Sequence, residues 1–218
     1  MTTVLLVDDQ QLQRMGFKML LDGTPEMTVV GEASGGAEAV RMVEQTRPDV
    51  VLMDVRMPGM DGIEATRRIT AAGSRSRVLM LTTFDLDEYV YAGLRAGASG
   101  FLLKDARPEE LIAGIRAVAS GDSVVAPSLT RNLMNAYLQH PTPTTHADPR
   151  LSVLSERERE VLEAIGQGAT NTEIAERFTL TESTVKKHVG RVLAKIGARD
   201  RIQAVIFAYD NGLVQPRA

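Results

Sequence analysis

The stretch VVLMDVRMPGMDG, residues 50–62, decides how the first half of the chain folds. Its apolar residues run without alternation into Asp54, Pro58 and Gly59 then turn the chain away, and Asp61 can cap a helix that follows. Continuous rather than alternating hydrophobicity marks a strand covered on both faces. A carboxylate at the end of such a strand either caps it or is placed for chemistry.

The same pattern recurs on both sides. TVLLVD (3–8), MTVVGEA (27–33), DVVLMD (49–54), RVLMLTT (77–83) and SGFLLK (99–104) are strand-like. Amphipathic stretches near 10–22, 35–47, 62–72, 86–96 and 107–120 separate and follow them. Strands alternating with helices give right-handed crossovers and a parallel sheet. The expectation is an α/β doubly wound domain of five βα repeats on a five-stranded sheet.

Ligands bind such sheets beyond the carboxyl ends of the strands. Those ends carry Asp8 and Asp9 after the first strand, Asp54 after the third, Thr82 and Thr83 after the fourth, and Lys104 after the fifth. Three carboxylates on one rim repel one another unless a cation joins them, and Mg²⁺ suits a few carboxylates, a carbonyl and water. A carboxylate can accept a phosphoryl group as an aspartyl phosphate. Metal, lysine and hydroxyl would then stabilise the charge on the transferred oxygens.

Length and composition fit this reading. A chain of 218 residues suggests two domains. Hydrophobic content of 44% is ordinary for a globular protein, and the apolar runs are too short to span a bilayer. The N-terminal MTTVLLVDD lacks the basic region of a signal peptide. With zero cysteine there are no disulfides, thiolate metal sites or thiol nucleophiles, and a cytoplasmic location fits best. The net charge of −3 is unevenly spread: residues 1–122 carry 13 basic and 18 acidic residues, whereas 150–218 carry 11 and 9. Six basic and two acidic residues crowd into 182–201, where a polyanion is expected.

Between these regions, residues 123–149 read as a linker. APSLTRNLMNAYLQ can form a short helix, and HPTPTTHADP is an extended tether. The third segment, 150–218, is all helical. Ser155 with Glu158, and Thr170 with Glu173, form capping boxes. A further helix stops at Gly197, and a last one runs from about Asp200 to Asn211. The short TLT joint at 179–181 suggests a helix-turn-helix. Advancing about 100° per residue from Val185 gathers Val189, Val192, Leu193 and Ile196 on one side. Lys187, Gly190, Arg191 and Ala194 fall opposite, flanked by Lys186 and Lys195.

The motifs LLVDDQ, LMDVRMPGMDG, LMLTTFD and GASGFLLKD resemble, in order, those of the receiver domain of two-component response regulators. The resemblance spans about residues 1–121 and implies a flavodoxin-like fold for a domain bounded here at 1–122. It implies that Asp54 takes phosphate from a phosphohistidine of a sensor histidine kinase. Asp9 would ligate Mg²⁺ directly and Asp8 through water, with Asp54 and the Arg56 main-chain carbonyl completing the set. Thr82 and Lys104 would contact the phosphoryl group. Phe101 matches the aromatic switch that turns inward when Thr82 moves, and it also fits plain core packing. Asp105 follows Lys104 where many receivers have a proline with a cis bond.

Residues from LSEREREVLEAIGQG to the C-terminal helix closely resemble the LuxR-type DNA-binding domain, and with the receiver they resemble the NarL/FixJ class. That likeness places Lys186, Lys187 and Gly190 toward base edges, with Lys186 also able to serve phosphate. Ser183, Thr184 and Arg191 would meet phosphates. It implies a transcription regulator that dimerises when phosphorylated and binds a promoter operator in double-stranded DNA, with no membrane partner. Ile202, Val205, Ile206 and Tyr209 are candidates for pairing the DNA-binding domains. An aspartate-based phosphohydrolase would carry a second acid two residues after the nucleophile, where Arg56 stands. A DNA-binding protein with a silent receiver is the other rival.

Overall fold

The computed structural model describes residues 1–83, 87–121, 124–125 and 148–214, and the chain divides into two compact units, Met1–Ala136 and Tyr137–Ala218. In the first unit the strands are β1 (Thr2–Val7), β2 (Met27–Ala33), β3 (Val50–Asp54), β4 (Arg77–Thr82) and β5 (Gly100–Leu103). Helices α1 (Gln11–Asp22), α2 (Gly36–Thr46), α3 (Gly62–Ala71), α4 (Asp87–Arg95) and α5 (Pro108–Ser120) each follow a strand. All pairings are parallel, in the order β2-β1-β3-β4-β5-β6, where β6 is Val124–Val125. The five expected strands form, and a two-residue sixth adds to them at the β5 edge. Val124 and Val125 pair with Gly100 and Phe101, so the sheet borrows two residues from the segment read as linker. The rest of that segment, with its expected short helix, lies outside the described residues up to Asp148.

Burial explains why these strands form. Val4, Leu5, Val50, Val51, Met53, Val78, Leu79 and Met80 are fully buried, and helices cover both faces of the sheet. One face packs Val4, Leu6, Leu52, Leu79 and Leu81 against Leu21 of α1 and Leu111, Ile115 and Val118 of α5. Strand order reverses between β1 and β3, where the chain leaves in opposite directions and opens a crevice above their carboxyl ends. Asp8, Asp9 and Asp54 stand there.

The second unit begins with a 3₁₀ turn, Pro149–Val153, followed by α6 (Glu156–Gly166), α7 (Asn171–Phe178), α8 (Glu182–Ile196) and α9 (Arg201–Asp210). Both expected capping boxes form: the Ser155 and Thr170 hydroxyls accept from the amides of Glu158 and Glu173, whose carboxylates accept in return. Asp200, about where the last helix was expected to begin, caps it by accepting from Gln203 N. The core joins Val161, Leu162 and Ile165 of α6 to Ile174, Val185, Val192, Ile196, Ala204 and Phe207. Val205 and Tyr209, expected to pair two copies, lie partly buried against that same core, and Ile202 and Ile206 are buried as well.

Candidate functional site

The β3 strand delivers Asp54 at its last residue, 5% exposed. Arg56 N approaches Asp54 Oδ1 at 3.4 Å. Gly62 N donates to Val55 O, which folds the start of α3 back against the strand end. A Cβ at Gly62 would stand 2.0 Å from the Asp54 carbonyl oxygen, so only glycine allows that approach. The side chain of Asp61 caps α3 by accepting from Glu64 N at 2.7 Å, as its position after the turn suggested.

Asp8, just past β1, is 2% exposed. Its Oδ1 accepts from Gln10 N at 2.9 Å, and its carbonyl oxygen accepts from Arg14 at 2.7 Å. Lys104 closes the rim: Nζ lies 2.6 Å from Asp8 Oδ2 and 2.9 Å from Asp54 Oδ2. The contact to Asp8 is an ion pair of poor angle, because that buried oxygen accepts no aligned hydrogen bond. Lys104 N donates to Thr82 O, tying the fifth strand end to the fourth. Thr82 is buried at the end of β4, and the Lys104–Asp105 peptide is trans.

Electrostatics follow from this crowding. Burial pushes the Asp54 carboxyl up, and the Lys104 hydrogen bond and charge only partly oppose it, while Asp8 adds repulsion. Burial works to lower the Lys104 ammonium, but its contacts with Asp8 and Asp54 outweigh that and hold it above its ordinary value. Asp8, Asp9 and Asp54 each bring a carboxylate oxygen within 4.8 Å of the others. Three carboxylates facing one ammonium leave negative charge uncompensated. With a buried oxygen of Asp8 lacking a directed donor, the donor set fits a hard divalent cation such as Mg²⁺. Beside it opens a cleft lined by Asp9, Arg56, Met57, Pro58, Asp61 and Tyr89.

Phe101 is fully buried, with its ring inward. A Cβ on Gly93 of α4 would meet Met80 Sδ at 2.5 Å and Phe101 Cζ at 2.6 Å, so Gly93 makes room for that ring. The sequence marks neither Gly62 nor Gly93 as a site residue, because each is required by a contact across the fold rather than by its neighbours in the chain.

In the second unit, α7 is capped by Thr179 in the left-handed conformation, φ 54°, and α8 begins three residues later, at Glu182 behind Thr181. Thr181 Oγ1 accepts from Thr184 N and lies 3.0 Å and 2.9 Å from the Ser183 and Thr184 hydroxyls. Val185, Val192 and Ile196 are buried, whereas Ser183, Lys186, Lys187, Gly190, Arg191 and Ala194 are exposed and Thr184 is half-buried. The wheel is thus as expected, with one exception. Lys195 turns back to Glu158 at 2.6 Å and to Val153 O at 3.1 Å, so it belongs to the scaffold. The Glu158 carboxyl is held down at about 2, by Lys195 first and by the Ser155 amide.

A doubly wound domain with an acidic rim, joined to a helix-turn-helix with a cationic outer face, describes a regulator that couples a phosphoacceptor to a nucleic-acid reader. Residues 4–116 match the response regulator receiver domain family, and residues 152–208 match the bacterial regulatory proteins of the luxR family. The chain belongs to the response regulators of two-component systems, with a receiver and a LuxR-type DNA-binding domain. It is 46% identical over 216 residues to the transcriptional regulatory protein YxjL of Bacillus subtilis, covering 97% of each chain. It is 37% identical to the nitrate/nitrite response regulator NarL of Escherichia coli, covering 96% of this chain and 95% of that one. The crystal structure of the response regulator ChrA of a heme-sensing two-component system matches over 98% of both chains, with TM-score 0.54 and 34% identity. Among the described residues no helix is long and apolar enough to cross a membrane.

Proposed function

We propose that Asp54 is the phosphoacceptor and that its phosphorylation controls dimerisation and DNA binding. The observation that carries this is the rim itself: a buried carboxylate with a raised proton affinity, held by Lys104 against two further acids. An Asp54 Oδ attacks phosphorus in the phosphohistidine of a sensor histidine kinase. The P–O bond forms as the P–N bond breaks, and the imidazole nitrogen leaves with the electron pair and takes up a proton. Lys104 then pairs with the phosphoryl oxygens it faces, and Thr82 bonds another. Asp8, Asp9, Asp54 and the Arg56 carbonyl would hold Mg²⁺, which when bound neutralises charge on those oxygens.

Phosphate above β3 draws Thr82 toward it, beside a Phe101 ring that is already inward. The movement of Thr82 shifts the population toward a homodimer whose α8 helices enter successive major grooves. Ser183, Thr184, Lys186, Lys187 and Arg191 are the residues that face the operator. We assign the receiver to 1–122 together with the β6 residues Val124 and Val125, the rest of 123–149 to the linker and 150–218 to the DNA-binding domain, in a cytoplasmic protein whose own turnover is limited to phosphoryl transfer and dephosphorylation. Intact mass after treatment with acetyl phosphate and Mg²⁺ tests the first step. A single phosphate adduct on wild type and none on Asp54→Ala is expected; an adduct on both proteins places the acceptor elsewhere.

A further inference from the structure

Gly190 lies in the third turn of α8, on the exposed face between Lys187 and Arg191. Apart from proline, glycine is the least favourable residue in a helix interior. Three other helical glycines have close neighbours. A Cβ at Gly93 would lie 2.5 Å from Met80 Sδ, at Gly114 2.8 Å from Leu102 Cδ1, and at Gly166 2.6 Å from Val214 Cγ2. At Gly190 nothing lies within 4 Å and the backbone is helical, so the fold asks for no glycine there. Gly16 of α1 is equally open, but it belongs to the receiver unit.

We propose that Gly190 is a specificity-determining position of the DNA interface, and that its missing side chain admits a thymine methyl group in the major groove. The inference rests on α8 being the recognition helix. A side chain in the middle of the exposed face would hold the helix away from the groove floor, whereas glycine lets its backbone come into van der Waals contact. What Gly190 then offers is apolar: Cα hydrogens are exposed, and inside the helix its amide and carbonyl are already hydrogen-bonded to other turns. Such a surface cannot read donors and acceptors on base edges, but it fits the one apolar group the major groove presents, the C5-methyl of thymine. One turn earlier, Lys187 is placed to donate to guanine O6 and N7. Together they describe a reader of one G·C pair beside one A·T pair.

The test begins with full-length protein, treated with acetyl phosphate and Mg²⁺, selecting from a random double-stranded DNA library. Wild type and Gly190→Ala are then compared on the enriched duplex, with each thymine of a half-site replaced in turn by uracil, which lacks only the methyl. At one position uracil should weaken wild-type binding about tenfold, the low end of what a wrong base pair costs. Gly190→Ala should bind the thymine duplex about tenfold more weakly, and uracil at that same position should restore its binding. Its thermal unfolding should occur at or above the wild-type temperature, which separates lost recognition from lost folding. Equal affinity of the two proteins overturns the inference, as does a loss that no uracil restores. If wild type enriches no sequence, the DNA-binding reading itself fails and this inference fails with it.

Discussion

The ionised Asp54 carboxylate works against its own fold. Its carboxyl is pushed above the ordinary range by burial, so the ionised form is less favourable in the folded chain than in the unfolded one. That penalty is absent below the unfolded value near ~3.9 and fully present above the folded value. Asp54→Asn, which leaves Lys104 its ion pair with Asp8, should therefore unfold at a higher temperature than wild type at pH 7 without Mg²⁺, and the gap should close in acid. Thermal melts at pH 7 and pH 3 check this. Lys104→Met should do the opposite: it leaves Asp8 and Asp54 without their ammonium, at a cost of about 3–5 kcal/mol, and added Mg²⁺ should recover part of the loss. Denaturant titration with and without the ion measures both terms. Asp8, Asp54 and Lys104 were legible because each ends an uninterrupted apolar run. Gly62 was not, since its need arises from the Asp54 carbonyl 2.0 Å from where a Cβ would sit.

At the scale of elements, continuous apolar runs revealed the strands because both faces of the sheet are buried, and hydroxyl–glutamate pairs marked the helix starts. Strand β6 escaped notice, because two valines carry no periodicity and their partner, β5, lies more than twenty residues back. The scaffold role of Lys195 was equally hidden, since its partner Glu158 is thirty-seven residues away and capping alone already accounts for that glutamate. That pair has a measurable consequence. The Glu158 carboxyl falls from 4.5 to about 2 on folding, so its contribution is complete above pH 4.5 and is lost as pH drops toward 2. Glu158→Gln should lower the unfolding temperature of the DNA-binding unit at pH 7, and the difference from wild type should shrink steadily over that acid window. A difference that stays constant from pH 6 to pH 2.5 contradicts the role assigned to the pair.

Over the whole molecule, the two units carry opposite charge biases, 13 basic and 18 acidic residues in 1–122 against 11 and 9 in 150–218. Both domains were legible from pattern and charge. The tether gave only its composition, and most of it lies outside the described residues. On the proposed role of the α8 face, raising salt from about 50 to 200 mM should weaken binding by orders of magnitude, and Arg191→Ala should reduce the logarithmic salt slope by about one. The central claim, that phosphate on Asp54 drives assembly, is tested most directly by following dimer fraction against phosphate adduct in one titration. Protein is exposed to rising acetyl phosphate with Mg²⁺, and intact mass and sedimentation are read on the same samples. Dimer should rise in step with the adduct in wild type, and both should stay flat in Asp54→Ala. A wild type already dimeric before any adduct forms, or an adduct that leaves it monomeric, contradicts the account.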